Sequence, residues 1–160
     1  MKQLNPAKTA FSIILCFLFA YGGSLFTPVP GSEWYYQTLQ RPSWNPPDWL
    51  FPPVWSLLFL MMAVAFALVL SARTTSGRLP WGAISVFVAQ LILNLAWSAS
   101  FFGLHSPRLA FFVIILLWLM IVSTMVQFRG IVPLSSRLLV PYLLWVSFAA
   151  YLNFTIWQLN

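Results

Sequence analysis

Charged residues are rare along this chain and divide it into long apolar segments. Uncharged stretches cover residues 9–32, 49–72, 79–107, 109–128 and 138–160. A helix that crosses a bilayer needs about 20 predominantly apolar residues, and all five stretches reach that length. Runs such as AFFVIILLWLMIV do not alternate between apolar and polar positions, as the strands of a membrane β-barrel would. The pattern predicts an all-α integral membrane protein with spans at about 9–27, 52–72, 80–102, 109–128 and 138–158.

The connections between these spans are short, except for the first. Successive helices should therefore pack as antiparallel neighbours in one membrane domain that covers residues 1–160. The first connection, residues 27–51, is rich in proline and holds both acidic residues, Glu33 and Asp48. Because long loops in compact domains are commonly functional, we expect this one to form a lid over the five-helix bundle.

The end of this loop is its most unusual part. Residues 42–55 read PSWNPPDWLFPPVW, with five prolines and three tryptophans. Proline fixes its own φ and restricts the preceding residue, so the segment should be stiff. Pro52 and Pro53 fit the first turn of the second span, which puts Trp55 and Phe59 on one face. The segment either presents its aromatic side chains to a cavity or seals the bundle as an interfacial aromatic belt.

Polar and aromatic residues share one face in two of the spans. The third span carries Gln90, Asn94, Trp97 and Ser98 at helical spacing, and the fifth carries Tyr142, Trp145, Ala149 and Asn153, with Phe148 adjacent. Amides inside spans commonly bond to neighbouring helices, for about 0.6 kcal/mol on average. Alternatively, the amide of Asn94 and the indole of Trp97 line a cavity for a flat amphipathic ligand. Both interpretations stay open.

The net charge of +6 reports membrane orientation and contact with lipid; it does not indicate a nucleic-acid surface. Arg41 and Arg108 fall on one side of the predicted membrane. The other six basic residues share the opposite side: Lys2, Lys8, Arg73, Arg78, Arg129 and Arg137. The positive-inside rule then places the N-terminus in the cytoplasm of a bacterial cell and the first loop outside.

Several kinds of chemistry lack the residues that they need. Cys16 is the single cysteine and His105 the single histidine, so neither a disulfide framework nor a metal site is expected. Carboxylate pairs, a usable Ser/His/Asp set and a phosphate-binding glycine loop are also missing. Small residues four apart predict close helix packing in the first two spans, at Ser12, Cys16, Ala20 and Ser24 and at Ala63, Ala67 and Ser71.

Three segments resemble the translocator protein family, which includes the tryptophan-rich sensory proteins of bacteria and the peripheral-type benzodiazepine receptors. They are EWYYQTLQRPSWNPPDWLFPPVW, QLILNLAWSASFFG and VPYLLWVSFAAYLNFTIWQLN. The resemblance implies a five-helix bundle, commonly a homodimer, with the first loop folded over a cavity. It also implies binding of porphyrins, notably protoporphyrin IX, without a required cofactor. Some bacterial members degrade this pigment in light.

The same resemblance implies roles for individual residues. Trp55 and Trp145 match the tryptophans that face the porphyrin and are tied to its photochemical breakdown. Asn94 and Trp97 match ligand-contacting positions, and Ala149 matches a small position between the fifth span and the cavity. Tyr36 and Pro46 match loop positions that close over the ligand. Phe59 and Phe148 join this predicted set because they share faces with the two photochemical tryptophans.

One departure from the family concerns sterols. The eukaryotic sterol motif needs a tyrosine followed by a basic residue, whereas Phe154 stands here with no basic residue after it. Three functions stay open: a porphyrin sensor, a photochemical enzyme, and a transporter of porphyrins, lipids or sterols. We favour the binding and sensor role, for which the resemblance implies a part in tetrapyrrole or stress regulation, with light-dependent degradation as an accompanying activity and transport as the alternative.

Overall fold

The computed structural model describes residues 5–72 and 79–160, and these residues form six helices and no strand. The helices are α1 (Pro6–Ser24), α2 (Phe51–Ser71), α3 (Trp81–Ser98), α4 (Pro107–Ile131), α5 (Pro133–Leu138) and α6 (Val140–Leu159). Single helical turns at Asp48–Leu50 and Ala99–Gly103 extend α2 and α3. Five helical segments are long and apolar enough to cross a membrane, which confirms the predicted architecture. We call residues 25–50, between α1 and α2, the lid.

Prolines mark where most of these helices begin. Pro6, Pro52, Pro107, Pro133 and Pro141 each lie in the first two positions of a helix. Proline is well tolerated there because the first amide groups of a helix have no partner within it, and its fixed φ suits the helix. Proline, which breaks the interior of a helix, thus marks the start of four of the five spans.

The observed bounds differ from the predicted ones in four places, one of which is the end of the first helix at Ser24, three residues before its predicted end. The first helix begins at Pro6, because the Asn5 side chain accepts from the backbone N–H of Lys8 and caps it. α4 continues to Ile131, past Arg129, whose charge is favourable in the last turn of a helix. The predicted connection after it contains the short helix α5. The prediction treated every charged residue as the end of a span, and it therefore missed the helical residues at and beyond Lys8, Arg129 and Arg137, each of which lies inside a helix.

The half of the bundle remote from the lid is solidly packed. α1 packs against α2 and α3, α4 against α3 and α6, and α5 against α2 and α4. Three buried rings stack across α2, α3 and α4: Phe66 lies 4.2 Å from Phe87, which lies 5.6 Å from Phe128. This phenylalanine stack closes the interior on that side. Any ligand cavity must therefore lie toward the lid.

The predicted small-residue faces pack as expected near this end. Ser12 and Cys16 of α1 and Ala63 and Ala67 of α2 are fully buried. α1 is also tied to the end of α2, because the Asn5 backbone N–H donates to Ser71 Oγ at 3.2 Å. The predicted basic loop at residues 73–78 lies outside the described residues.

Candidate functional site: a cavity beneath the lid

A cavity of about 500 Å³ occupies the lid-side half of the bundle. It lies between α1, α2 and α3, and the lid covers it. The residues that the argument uses are Phe17, Tyr21, Tyr35, Tyr36, Asp48, Phe51, Trp55, Ser56, Phe59, Asn94, Trp97 and Phe102. Since small-molecule pockets range over roughly 300–1,000 Å³, this cavity is large enough for a drug-sized ligand.

Two indoles form the central wall of the cavity. The rings of Trp55 and Trp97 lie 6.2 Å apart and 30° from parallel, and Phe59 lies 6.0 Å from Trp55 on the same face of α2. The start of α2 at Phe51, directly before its proline pair, produces this arrangement, because it places Trp55 one turn into the helix. Flat, apolar surfaces stack on such rings with an attraction beyond that of simple burial.

Trp97 is held in place by a chain of hydrogen bonds. Its Nε1 donates to Asn153 Oδ1 at 3.0 Å, and Asn153 Nδ2 donates in turn to the carbonyl oxygen of Pro107 at 2.7 Å. These bonds connect α3, α6 and the start of α4. The indole N–H of Trp97 thereby has its hydrogen-bond partner inside the protein, and the apolar faces of the ring are available to the cavity.

Asn94 combines the two roles that the sequence left open. It is buried and lines the cavity, and its Nδ2 donates to Tyr142 Oη at 3.0 Å. The Tyr142 ring also contacts Trp55, with 6.3 Å between centroids. The polar face of α3 therefore both joins α6 and forms part of the cavity wall.

The inner surface of the lid is polar on one side. Tyr35 is buried and donates from its hydroxyl to Asp48 Oδ1 at 3.1 Å, and Arg41 approaches the same oxygen at 3.4 Å. The Arg41 guanidinium also lies over the Tyr35 ring, 4.6 Å from its centroid. Burial, and then the Asp48 carboxylate, raise the pKa of Tyr35, so its hydroxyl stays protonated and continues to donate.

Three anchors fix the lid to the far side of the bundle. Trp34 stacks on His105 in the α3–α4 connection, with 4.3 Å between centroids. Trp44 stacks on Tyr151 of α6 at 5.4 Å. The third anchor joins Gln40 to Asn160: the Gln40 N–H donates to Asn160 Oδ1, and Asn160 Nδ2 donates to the Gln40 carbonyl, both at 2.9 Å.

The predicted site residues fall into three groups. Five line the cavity: Tyr36, Trp55, Phe59, Asn94 and Trp97. Pro46 lies on a second, more open hollow beside Arg41, on another side of the lid. Trp145, Phe148 and Ala149 of α6 are not among the residues that line the cavity. Their part in ligand binding stays a prediction.

Trp145 nevertheless lies close to the cavity. Its ring contacts Phe51, a lining residue, with 5.9 Å between centroids, and Phe148 at 5.6 Å. Its Nε1 is buried and has no hydrogen-bond partner among the described residues. Buried indole N–H groups usually have a partner, so this donor is available to an acceptor that would reach it past Phe51.

Sequence reasoning missed the contribution of α1 and of the lid interior. Phe17 and Tyr21 of α1 line the cavity, as do Tyr35 and Asp48 of the lid. The small-residue pattern on α1 indicated packing, but Ala20 and Ser24 of that same stripe also border the cavity. Small side chains at a helix interface and small side chains beside a void leave the same pattern in a sequence.

Fold and site together define a multi-pass helical membrane protein with a ligand-sized cavity under its first loop. Comparison with known sequences gives the family, because the profile of the TspO/MBR family matches residues 12–158. The chain therefore belongs to the TspO/MBR family.

The sequences of known relatives align with nearly the whole chain. The tryptophan-rich protein TspO of Chlorobaculum tepidum is 56% identical over 151 residues, which cover 94% of each chain. The CrtK protein of Rhodobacter capsulatus is 36% identical and covers 95% of this chain and 93% of its own. The human translocator protein is 37% identical, over 86% of this chain and 81% of its own.

Proposed function

We propose that this protein is a membrane-embedded binding protein and sensor for porphyrins, with protoporphyrin IX as the ligand and no required cofactor. The observation that carries the proposal is the lidded cavity with the paired indoles of Trp55 and Trp97 in its wall. Names such as tryptophan-rich sensory protein among the relatives support a sensory role at a membrane.

The cavity wall suits a flat apolar macrocycle. Each well-placed aromatic contact contributes about 0.5–1.5 kcal/mol beyond the burial of apolar area. Trp55, Phe59 and Trp97 supply three such rings on two helices. A porphyrin lying against them would exchange lipid or water contacts for ring stacking over much of its surface.

The carboxylates of the porphyrin constrain its orientation. Asp48 is the one charged side chain among the described residues that line the cavity, and like charges repel. Arg41 lies directly behind it, at 3.4 Å from Asp48 Oδ1. We propose that the ligand carboxylates lie at the lid and pair with Arg41. The guanidinium would then exchange its contact with Asp48 for one with the pigment.

Light-dependent degradation of the porphyrin follows from the same placement. An excited porphyrin against Trp55 can take one electron from the indole, which leaves an indole radical cation and a porphyrin radical anion. Breakdown of the macrocycle then consumes dissolved dioxygen as the oxidant, so the chemistry belongs mainly to the pigment. Trp145 would join this reaction only after Phe51 moves aside, since Phe51 separates it from the cavity. The protein supplies placement and exclusion of bulk water.

Transport of porphyrins, lipids or sterols is the alternative, and the names of the translocator proteins among the relatives favour it. The stack of Phe66, Phe87 and Phe128 closes the bundle beyond the cavity, so passage across the membrane would require these rings to separate. A sensor needs only the lid-side cavity. We therefore place binding and sensing first.

We also propose how the protein is oriented in the membrane and how it assembles. Lys8, Arg129 and Arg137 lie at the end of the bundle remote from the lid, while Arg41 and Arg108 lie at the lid end. The positive-inside rule then places the N-terminus in the cytoplasm of a bacterial cell and the lid outside, surrounded by membrane lipid. We propose a homodimer as the assembled form.

Titration of the purified protein with protoporphyrin IX, followed by tryptophan fluorescence in darkness and then under illumination, tests the proposal. The variants are Trp55→Phe and Trp145→Phe. Trp81→Phe is the matched control, because Trp81 is 68% exposed at the start of α3, away from the cavity. We expect saturable quenching in all proteins, with light-driven loss of porphyrin absorbance only when both Trp55 and Trp145 are present.

The outcomes separate the candidate functions. Saturable binding without light-driven loss keeps the sensor and removes the photochemical activity. The absence of saturable binding would refute the porphyrin proposal and direct attention to lipids and sterols. Flux of porphyrin across proteoliposomes would favour the transporter. Unchanged affinity of Arg41→Ala at low salt would remove Arg41 as the partner of the carboxylates.

A further inference from the structure

The wall of the cavity is closed on one side and open on the other. On α3, the lining residues Asn94 and Ser98 are each only 6% exposed. On α1, the lining residues Phe17 and Tyr21 are 39% and 65% exposed. Ser56 of α2 also lines the cavity and is exposed. The cavity therefore reaches the outer surface of the bundle along the seam between α1 and α2.

The tilt of α1 explains why this seam opens. At the end remote from the lid, α1 is tied to α2, because Lys8 Nζ donates to the Leu70 carbonyl. Toward the lid α1 leans on α3: Ser98 Oγ donates to the Gly23 carbonyl at 3.0 Å. Gly22 permits this approach, since a Cβ there would lie 3.3 Å from a methyl group of Leu95. Among the described hydrogen bonds, α1 is thus joined to α2 at the remote end and to α3 beside the cavity.

The seam opens at the depth of the lipid acyl chains. Phe17 lies seven residues before the end of α1, about 10 Å along the helix at 1.5 Å per residue. Ser56 lies five residues into α2, about 7.5 Å below its start. Half of the hydrocarbon core measures about 15 Å, so both residues fall within one leaflet. The Ser56 hydroxyl is compatible with lipid, because it donates to the Pro52 carbonyl of its own helix.

The route from water is obstructed by comparison. All three lid anchors, at Trp34, Gln40 and Trp44, fasten the lid to α6 or to the α3–α4 connection. A ligand arriving from water meets a lid that these anchors hold in place, whereas a ligand dissolved in the membrane meets the side chains of Phe17 and Tyr21 without contacting the anchors.

We infer that ligands reach the cavity from within the membrane, through the seam between α1 and α2, in the leaflet on the lid side. This inference rests on the proposed binding function and narrows its ligand class to amphiphiles that partition into the bilayer. The flat apolar part crosses the seam, and the polar end comes to rest under the lid beside Tyr35 and Arg41.

The first test needs no ligand and uses the protein in proteoliposomes with Cys16→Ser as background. A nitroxide is attached at Ser56→Cys or, as a control, at the exposed lid residue Gln37→Cys. We expect the Ser56 label to collide with oxygen, which concentrates in lipid, and to be shielded from a water-soluble nickel chelate. The Gln37 label should show the reverse. A Ser56 label as accessible to the nickel chelate as the Gln37 label would overturn the inference.

The second test closes each route in turn. A flexible bis-maleimide joins Tyr21→Cys to Ser56→Cys across the seam, or Gln40→Cys to Asn160→Cys across the lid anchor. Uptake of protoporphyrin IX from vesicles is followed by tryptophan quenching. We expect the seam cross-link to slow uptake by about tenfold or more and the lid cross-link to leave it nearly unchanged. Slower uptake with the lid cross-link, or no effect of the seam cross-link, would contradict the inference.

Loading the pigment before cross-linking separates a closed route from a damaged cavity. A closed seam should trap bound porphyrin through dilution into ligand-free vesicles, whereas rapid loss would show that the seam is not the route. If the unmodified protein does not bind protoporphyrin IX at all, the proposed function fails, while the nitroxide measurement still decides whether the seam faces lipid.

Discussion

The bond between Trp97 and Asn153 gives the most direct test of how the cavity wall is held. Trp97 Nε1 donates to Asn153 Oδ1 at 3.0 Å, and Asn153 Nδ2 donates to the Pro107 carbonyl at 2.7 Å. Replacing Asn153 with leucine, which has a similar size and no polar atoms, removes both bonds. Hydrogen bonds between membrane helices contribute about 0.6 kcal/mol on average and at most about 1.7. We therefore expect Asn153→Leu to lower the free energy of unfolding by about 1.2 kcal/mol.

A double-mutant cycle isolates the tryptophan bond from the rest. Trp97→Phe removes the donor, and the double variant removes both partners, so the coupling energy should be about 0.6 kcal/mol. Unfolding in mixed micelles by titration with dodecyl sulfate, followed by far-ultraviolet circular dichroism, measures each value. Thr155→Val is the control on the same helix, since the Thr155 hydroxyl donates only to Tyr151 of α6 among its described contacts.

The cycle also predicts an effect on binding. A freed Trp97 ring should stack less well against a ligand, so Asn153→Leu should weaken porphyrin binding while Thr155→Val leaves it unchanged. A coupling energy within about 0.3 kcal/mol of zero, the usual additivity error, would refute the view that Asn153 holds the cavity wall.

Three further outcomes follow from the lid and from α1. Tyr35→Phe removes the bond to Asp48 and should speed ligand release about fivefold, the equivalent of about 1 kcal/mol for one hydrogen bond, whereas Tyr151→Phe, which keeps the ring that stacks on Trp44, should change release little. Because the pKa of Tyr35 is raised, its bond should persist up to the ordinary tyrosine value of about 10 and be lost only as the pH rises through the raised one. Release measured from pH 7 to 10 should therefore be flat, and a rise within that range would argue against the bond. Cys16 is fully buried, so a maleimide should label it in dodecyl sulfate and not in bilayers; labelling in bilayers would contradict the packing of α1.

The spans and the start of α2 could be predicted because each has a local cause. A run of apolar residues long enough to cross the bilayer can hardly do anything but form a helix, and Pro52 allows few positions other than a first turn. From that start the shared face of Trp55 and Phe59 follows by helical geometry alone. The sequence also indicated both possible roles of Asn94, as a contact between helices and as a cavity residue.

The limits of the cavity could not be predicted, because they depend on the relative tilt of helices. The face of α6 was expected to line it, but Tyr142 and Asn153 instead direct their polar groups to Asn94 and Trp97. α1 contributes because it leans toward α3 at Gly23, a contact between residues 75 positions apart. No periodicity within a single helix reports such an approach.

The closed end of the bundle has a thermodynamic consequence. Because Phe66, Phe87 and Phe128 are stacked in the interior beyond the cavity, the proposed site would exchange ligand with the lid side of the membrane only while these rings stay together. Its occupancy at equilibrium would then depend on the chemical potential of the ligand on that side and would be indifferent to any gradient across the bilayer. A site of this kind would report a concentration on one side, whereas the transporter alternative requires the three rings to separate.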